Sequence, residues 1–255
     1  MVFMYKYFLL NLLIASIFSQ DSFLFFLNKG DLVFDVGAHT GEYTDKYLHM
    51  GCSVVCVEPQ NYCFDVLKNK YFKNNSVFLE NNGCDSSSCV RKFYECESAR
   101  AISTFSQDWK KGRFKQYEWS SEYYVTMTTL DELIKKYGEP QYIKIDVEGF
   151  EFEVLKGLRS PVRYLSFEFA HEFLDKTYQC IKYLQRLGYM KFNYISEANP
   201  NFENPNWISA DDLMIQLRRK DAMHWGDIHI KVQKSDILSS QRPKFIPDST
   251  SKRLT

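Results

Sequence analysis

The sequence predicts an α/β fold with a mostly parallel central sheet and helices on both faces. Three observations carry this. Apolar, β-rich runs alternate with helix-compatible segments in the order strand–helix–strand–helix–strand over residues 31–79, an order that requires right-handed crossovers and a parallel sheet. The first of these runs ends abruptly in a turn containing Gly37 and Gly41. The 255-residue chain is 45% hydrophobic and 16% aromatic, which supports a large core and excludes a disordered or collagen-like chain.

Each element follows from its residues. Residues 31–35 (Asp-Leu-Val-Phe-Asp) form the first strand, and residues 42–50 a helix that Gly51 stops. A second strand at 53–57 ends in Glu58-Pro59, where the proline suits the first turn of the next element. Residues 61–70 read as a helix with Phe64 and Leu67 on one face, and 77–79 as a short strand. Residues 81–127 show no clean periodicity; Ser86 to Ser88 read as a loop and 105–124 as a polar, aromatic stretch. Thr129 and Glu132 have capping-box spacing for a helix at 130–137, which Gly138 and Pro140 end. A buried strand at 142–146, the turn Val147-Glu148-Gly149 and a helix at 150–158 come next. Then follow a strand at 164–169, a helix at 178–187, a strand at 189–194, and two closing strands expected at 213–217 and 227–232. The domain boundaries expected are 29–233, preceded by an apolar segment (1–28) and followed by a polar tail (234–255) expected to be mobile.

With 32 basic and 32 acidic residues the formal net charge is zero. That excludes a nucleic-acid binder working through a globally basic surface, because phosphate neutralisation needs excess Lys and Arg. The seven cysteines are an odd number without CxxC spacing, so neither a disulfide framework nor a zinc site is expected, and no metal. Reduced thiols favour a cytoplasmic setting. The N-terminus leaves a second reading open, a secretory or membrane-associated protein. Residues 1–20 carry one charge, Lys6, and an apolar run at 7–18. That run, of about 12 residues, is short for a membrane span of roughly 20, but it resembles a signal or anchor segment as well as a buried leading helix.

In open α/β sheets, ligands bind beyond the carboxyl ends of the strands at the point where strand order reverses. The loop Asp35-Val-Gly37-Ala-His39-Thr-Gly41 stands at such an end. Gly37 permits a tight turn with close backbone approach, and Gly41 lets the helix begin near a ligand. Glu58 ends the second strand about 20 residues beyond Gly37, the spacing of a carboxylate that accepts from ribose hydroxyls. Together these indicate a nucleoside cofactor. A dinucleotide fingerprint needs G-x-G-x-x-G, whereas this loop is G-x-x-x-G with His39 between. Asp35 fits poorly beside a pyrophosphate and well near an ammonium or sulfonium. The balance favours S-adenosylmethionine over a nicotinamide dinucleotide.

These residues carry a resemblance. Asp35-Val-Gly-Ala-His-Thr-Gly41, Val57-Glu-Pro59, Thr128-Thr-Leu-Asp-Glu-Leu133, Ile143-Lys-Ile-Asp-Val-Glu-Gly149 and Glu153-Val-Leu-Lys-Gly157 resemble, in order, the FkbM family of S-adenosylmethionine-dependent methyltransferases. The resemblance implies a class I, Rossmann-like methyltransferase fold and O-methylation of small molecules or sugars. The family more often has Asn where His39 stands; both residues tolerate left-handed backbone.

Methyl transfer to a hydroxyl needs in-line alignment, desolvation and a base. Candidate bases are Asp146 and Glu148, which follow the fourth strand of the expected sheet, and His171, which follows Glu168 at the end of the next strand. Asp146 has a plainer reading as a helix cap, and Glu148 as a surface partner of Lys144. Asp85 is a candidate for the adenine amino group. Trp109, Phe114, Tyr117, Trp119, Tyr123 and Tyr124 read equally as an acceptor-pocket wall or as a hydrophobic cover. Lys110, Lys111, Arg113 and Lys115 read as a solvated basic face. The expected partner is a small-molecule or sugar acceptor. Two alternatives remain: an NAD(P)-dependent oxidoreductase, and a non-catalytic nucleotide-binding module of the same fold.

Overall fold

The structure, a computed structural model, describes residues 22–232 apart from 113, 197 and 198. The leading segment up to residue 21, Arg113 of the basic cluster and the tail from 233 lie outside the described residues. Ten strands and seven α-helices follow in chain order: β1 (Leu32–Val36), α1 (Glu42–His49), β2 (Ser53–Val57), α2 (Asn61–Tyr71), β3 (Val77–Glu80), β4 (Gly83–Cys84), β5 (Cys89–Glu95), α3 (Gln107–Lys111), β6 (Ser121–Thr128), α4 (Leu130–Tyr137), β7 (Tyr142–Ile145), α5 (Glu151–Lys156), β8 (Tyr164–Ala170), α6 (Leu174–Arg186), β9 (Tyr189–Ser196), α7 (Ala210–Leu217) and β10 (Trp225–Val232). The main sheet has seven strands in the order β3-β2-β1-β7-β8-β10-β9. β10 is antiparallel to both β8 and β9, and the other pairs are parallel.

Strand alternation divides the interior in two. Leu32, Phe34 and Val36 of β1 point into one core with α4, α5, α6 and α7. Val33 points into the other, with Tyr47 of α1, Leu67 of α2 and Phe23 of the 3₁₀ turn Ser22–Phe26. Helices therefore cover both faces, as expected. The capping box is present: the Thr129 hydroxyl accepts from the Glu132 amide, and the Glu132 carboxylate accepts from the Thr129 amide. No described helix is long and apolar enough to cross a membrane.

Two expectations fail. Residues 213–217 are helical, within α7, and do not form a closing strand. Ala210, Leu213, Met214 and Leu217 bury one face at helical spacing, and the Ser209 hydroxyl caps the start by accepting from the Asp212 amide. The unreadable stretch 81–127 holds a second sheet of three strands, β4-β6-β5. Its strands bury only short parts of one face: β6 buries Val125 and Met127, while Tyr124 is exposed. The period-two signal is correspondingly weak.

Register brings a buried polar row across the main sheet. Cys56, Asp35, Lys144, Ser166, His229 and Asn193 are successive cross-strand partners, and all are buried. One pleat further toward the carboxyl ends of β2, β1, β7 and β8 come Glu58, Gly37, Asp146 and Glu168, with Asp227 of β10 paired to Glu168. Because side chains alternate with period two, this second row shares the face of the first.

Candidate active site

Strand order reverses between β1 and β7, and the principal cavity, about 670 Å³, opens there. Asp35, Gly37, His39 and Glu58 line it together with Asp146, Glu148, Glu168 and Asp227. Its size falls within the ordinary range for a small-molecule site.

The loop after β1 is built by close packing. Gly37 has φ 86°, and a Cβ there would lie 1.8 Å from the Asp146 carbonyl oxygen. Glycine is required at this point because β1 and β7 exit side by side, a packing demand distinct from approach to a ligand. His39 also adopts positive φ, 47°; its backbone N–H donates to Glu58 Oε2 at 2.8 Å, and the Gln60 N–H donates to Oε1 at 2.7 Å. Both Glu58 oxygens thus hold backbone, each keeping a second lone pair. Burial raises the Glu58 carboxyl to about 7, against the lowering effect of those two amides. Asp35 is buried and raised by desolvation; the Thr44 hydroxyl donates to it at 2.6 Å. Burial lowers His39 below its ordinary value.

Lys144 sits beneath the floor, 2% exposed. Its Nζ lies 2.5 Å from Asp146 Oδ2, 4.0 Å from Asp227 Oδ1 and 4.2 Å from the Tyr43 ring centroid. Burial opposes its charge, but Asp146 and Asp227 outweigh that and hold it well above the usual lysine value. Carboxylate oxygens of Asp146, Glu148 and Glu168 all lie within 4.8 Å of one another. Packed this close, Glu148 and Asp146 add to burial in raising the Glu168 carboxyl. Glu148 has φ 55°, an uncommon conformation for a non-glycine residue, and its carbonyl accepts from the Thr104 hydroxyl at 2.7 Å.

The plainer readings of two acids do not hold. Asp146 is not a helix cap: Phe150 occupies the N-cap of α5 without a side-chain bond, and Glu151 Oε1 accepts from the Gly149 amide at 2.9 Å. Lys144 is not on the surface, and its close partner is Asp146.

Three expected site residues lie away from the cavity wall. Asp85 is buried and committed to Arg91 Nε (2.6 Å) and to the Ser86 amide, which outweigh burial and lower its carboxyl. Gly41 caps α1, and its carbonyl accepts from the Tyr71 hydroxyl. His171 opens the 3₁₀ turn after β8, and its Nε2 is buried without a partner among the described residues. None of the six aromatics over 109–124 reaches the principal cavity. Trp109 packs on Phe114 and Phe173 as a hydrophobic cover, and Lys110 lies over Tyr94 and Trp119. In their place Tyr43, Lys46, Phe93, Arg100, Asn199 and Trp225 line the wall. No local signal in the sequence marks Arg100 or Asn199. Asp227 was findable only if 225–232 had been paired with β8 in register.

All seven thiols are free, and among the described residues no Cys or His joins a cluster of three ligand-type side chains.

Residues 35–191 match a family model described as the methyltransferase FkbM domain. No curated protein matches the chain. Solved structures of similar shape include a precorrin-6y C5,15-methyltransferase from Geobacter metallireducens, 11% identical over 81% of this chain and 82% of that one, with a TM-score of 0.43. Fibrillarin from Aeropyrum pernix, with natively bound S-adenosyl-L-methionine, is 11% identical over 80% and 67%, TM-score 0.43. A ribosomal protein L11 methylase from Lactobacillus delbrueckii subsp. bulgaricus is 12% identical over 80% and 72%, TM-score 0.42.

Proposed function

The chain belongs to the FkbM methyltransferase family and is an S-adenosylmethionine-dependent methyltransferase; from that premise we propose that it methylates a hydroxyl of a small molecule or sugar. One observation carries the reading. A single cavity of about 670 Å³ holds both the loop after β1, with Glu58, and the carboxylates Asp146, Glu148 and Glu168.

The donor set fits the cofactor. Asp35 and Glu58 are buried acids at adjacent strand ends, suited to a ligand with ammonium, sulfonium and ribose hydroxyls. Gly37 leaves the loop without a side chain where it meets the cavity. When bound, the cofactor supplies a methyl group already activated by positive charge on sulfur. The protein's part is alignment, exclusion of water and removal of the hydroxyl proton.

Asp146 and Glu148 are the carboxylates we assign to the acceptor side. Lys144 holds Asp146 in place from below, through an ion pair at 2.5 Å. Glu148 is held at positive φ, with its carbonyl tied to Thr104. Trp225, Asn199 and Ser196 line the far wall; an indole face beside amide and hydroxyl groups suits a hydroxylated, compact acceptor. His171, off the cavity wall, is not needed as the base.

Calorimetry with S-adenosylmethionine, S-adenosylhomocysteine and NAD tests the cofactor. Binding of the two sulfur nucleotides, weakened about 5- to 150-fold by Glu58→Ala through loss of about 1–3 kcal/mol of hydrogen bonding, is the expected result. Binding of NAD instead would favour the oxidoreductase. Mass spectrometry of a small-molecule extract incubated with methyl-labelled cofactor then identifies the acceptor; labelled protein with no labelled small molecule would refute the acceptor class.

A further inference from the structure

Glu168 stands between two cavities. It lines the principal one, and it also lines a chamber of about 20 Å³ behind it, shared with Trp109, Glu151, Lys176, Thr177 and Cys180. A chamber of that size accommodates one water molecule. Trp109 is 3% exposed, and its indole N–H has no partner among the described residues. A buried donor left unpaired is costly, and Trp109 lines the chamber, so a water there would satisfy it.

The charge around Glu168 is one-sided. Asp146 and Glu148 face it from the turn after β7, Glu151 from α5 and Asp227 from β10. On the positive side, Lys144 is already engaged by Asp146 and Asp227, and Lys176, across the chamber, pairs with Asp108 at 2.9 Å. No described hydrogen bond or ion pair reaches the Glu168 carboxyl.

We propose that Glu168 is a further catalytic residue: it carries a proton in the resting protein, releases it through the chamber water when a cation enters the cavity, and takes a proton back from the acceptor hydroxyl. This rests on the cofactor reading above. Burial, then Glu148 and Asp146, hold the Glu168 carboxyl well above the ordinary carboxylate range, which supports a resting proton. In the transfer the acceptor O–H bond breaks, and its proton passes to a Glu168 carboxylate oxygen. The oxygen's electron pair forms the new O–C bond, and the C–S bonding pair returns to sulfur. The C–S pair neutralises the sulfonium and the acceptor proton neutralises Glu168, so the cluster regains its resting charge with the thioether product in place.

Calorimetry reads this without turnover. Binding is measured near neutral pH in two buffers of different ionisation heat, for S-adenosylmethionine and for S-adenosylhomocysteine. The wild type is expected to release about one more proton per site with the sulfonium than with the thioether, and Glu168→Gln is expected to abolish that difference. An infrared difference spectrum of the wild type needs no variant. The C=O band of a protonated carboxylic acid is expected to disappear on adding S-adenosylmethionine and to persist with S-adenosylhomocysteine. In Trp109→Phe that band is expected to shift, since both groups bond the same water. Equal proton release for the two nucleotides, a difference that survives Glu168→Gln, or an unshifted band in Trp109→Phe overturns the proposal while leaving the cofactor reading intact. Binding of neither nucleotide overturns both.

Discussion

Glu58→Gln replaces one carboxylate oxygen by an NH₂ group at the acid after β2 that holds the loop after β1. The two oxygens of Glu58 accept from the His39 and Gln60 backbone amides at 2.8 and 2.7 Å. Glutamine keeps one acceptor oxygen, so one buried amide loses its partner at a cost of about 1–3 kcal/mol. A second effect runs the other way. The folded carboxyl holds its proton up to about 7, against an ordinary value of 4.5, because it is buried. Between those values the folded state binds more protons than the unfolded chain, so this group's stabilising contribution is lost as pH rises through the window. At about 1.4 kcal/mol per pH unit, the wild type gives up about 3 kcal/mol that neutral glutamine does not. Denaturant unfolding of both proteins at about pH 5 and about pH 8 checks this. The variant is expected to be less stable by about 1–3 kcal/mol at the lower pH, and equal to the wild type or more stable by up to about 2 kcal/mol at the higher. A stability gap of the same size at both pH values would refute the reasoning.

Two further perturbations test the packing beneath the site. Gly37→Ala puts a Cβ 1.8 Å from the Asp146 carbonyl oxygen, whereas Gly30, at a similar φ of 90°, has nothing within 4 Å of the same atom. Gly30→Ala should therefore cost only the backbone strain of about 1 kcal/mol, and Gly37→Ala several times that; equal losses in thermal unfolding would exclude the β1–β7 contact as the cause. His229 is buried with neither ring nitrogen partnered among the described residues, and desolvation and Lys144 lower it to about 3. The unfolded chain takes up a proton that the folded state refuses, so stability falls as pH drops below the ordinary value of 6.5. His229→Phe should gain about 2 kcal/mol on the wild type between neutral pH and about pH 5, and a pH-independent difference between the two would count against it.

The legible parts of the molecule were those encoded over a few adjacent residues. The capping box at Thr129 and Glu132 needs only three-residue spacing, and it forms as read. The strands β1 and β2 beside the glycine loop are mostly apolar runs, as expected of strands buried on both faces, and Gly37 and His39 adopt the positive φ that the loop requires. Residues 213–217 were misread because a short apolar run has no period of its own; the deciding signal was Ser209 and Ala210 just upstream. Asp85 and His171 stand at strand ends as well, but Arg91 and the 3₁₀ turn after β8 take them away from the cavity.

By itself, the sequence determined the family, the α/β class and the acids that end β1, β2 and β7, since each rests on local pattern and contiguous motif. Tertiary structure alone decided which acids meet. Asp227 reaches Glu168 only through the antiparallel pairing of β10 with β8, and Lys144 compensates Asp146 and Asp227 only because register sets its row beneath theirs. The neutral total of 32 basic and 32 acidic residues conceals a strongly acidic floor. Electrostatic energy depends on separations of a few ångströms inside a low-dielectric interior, and such separations arise between strands distant in the chain.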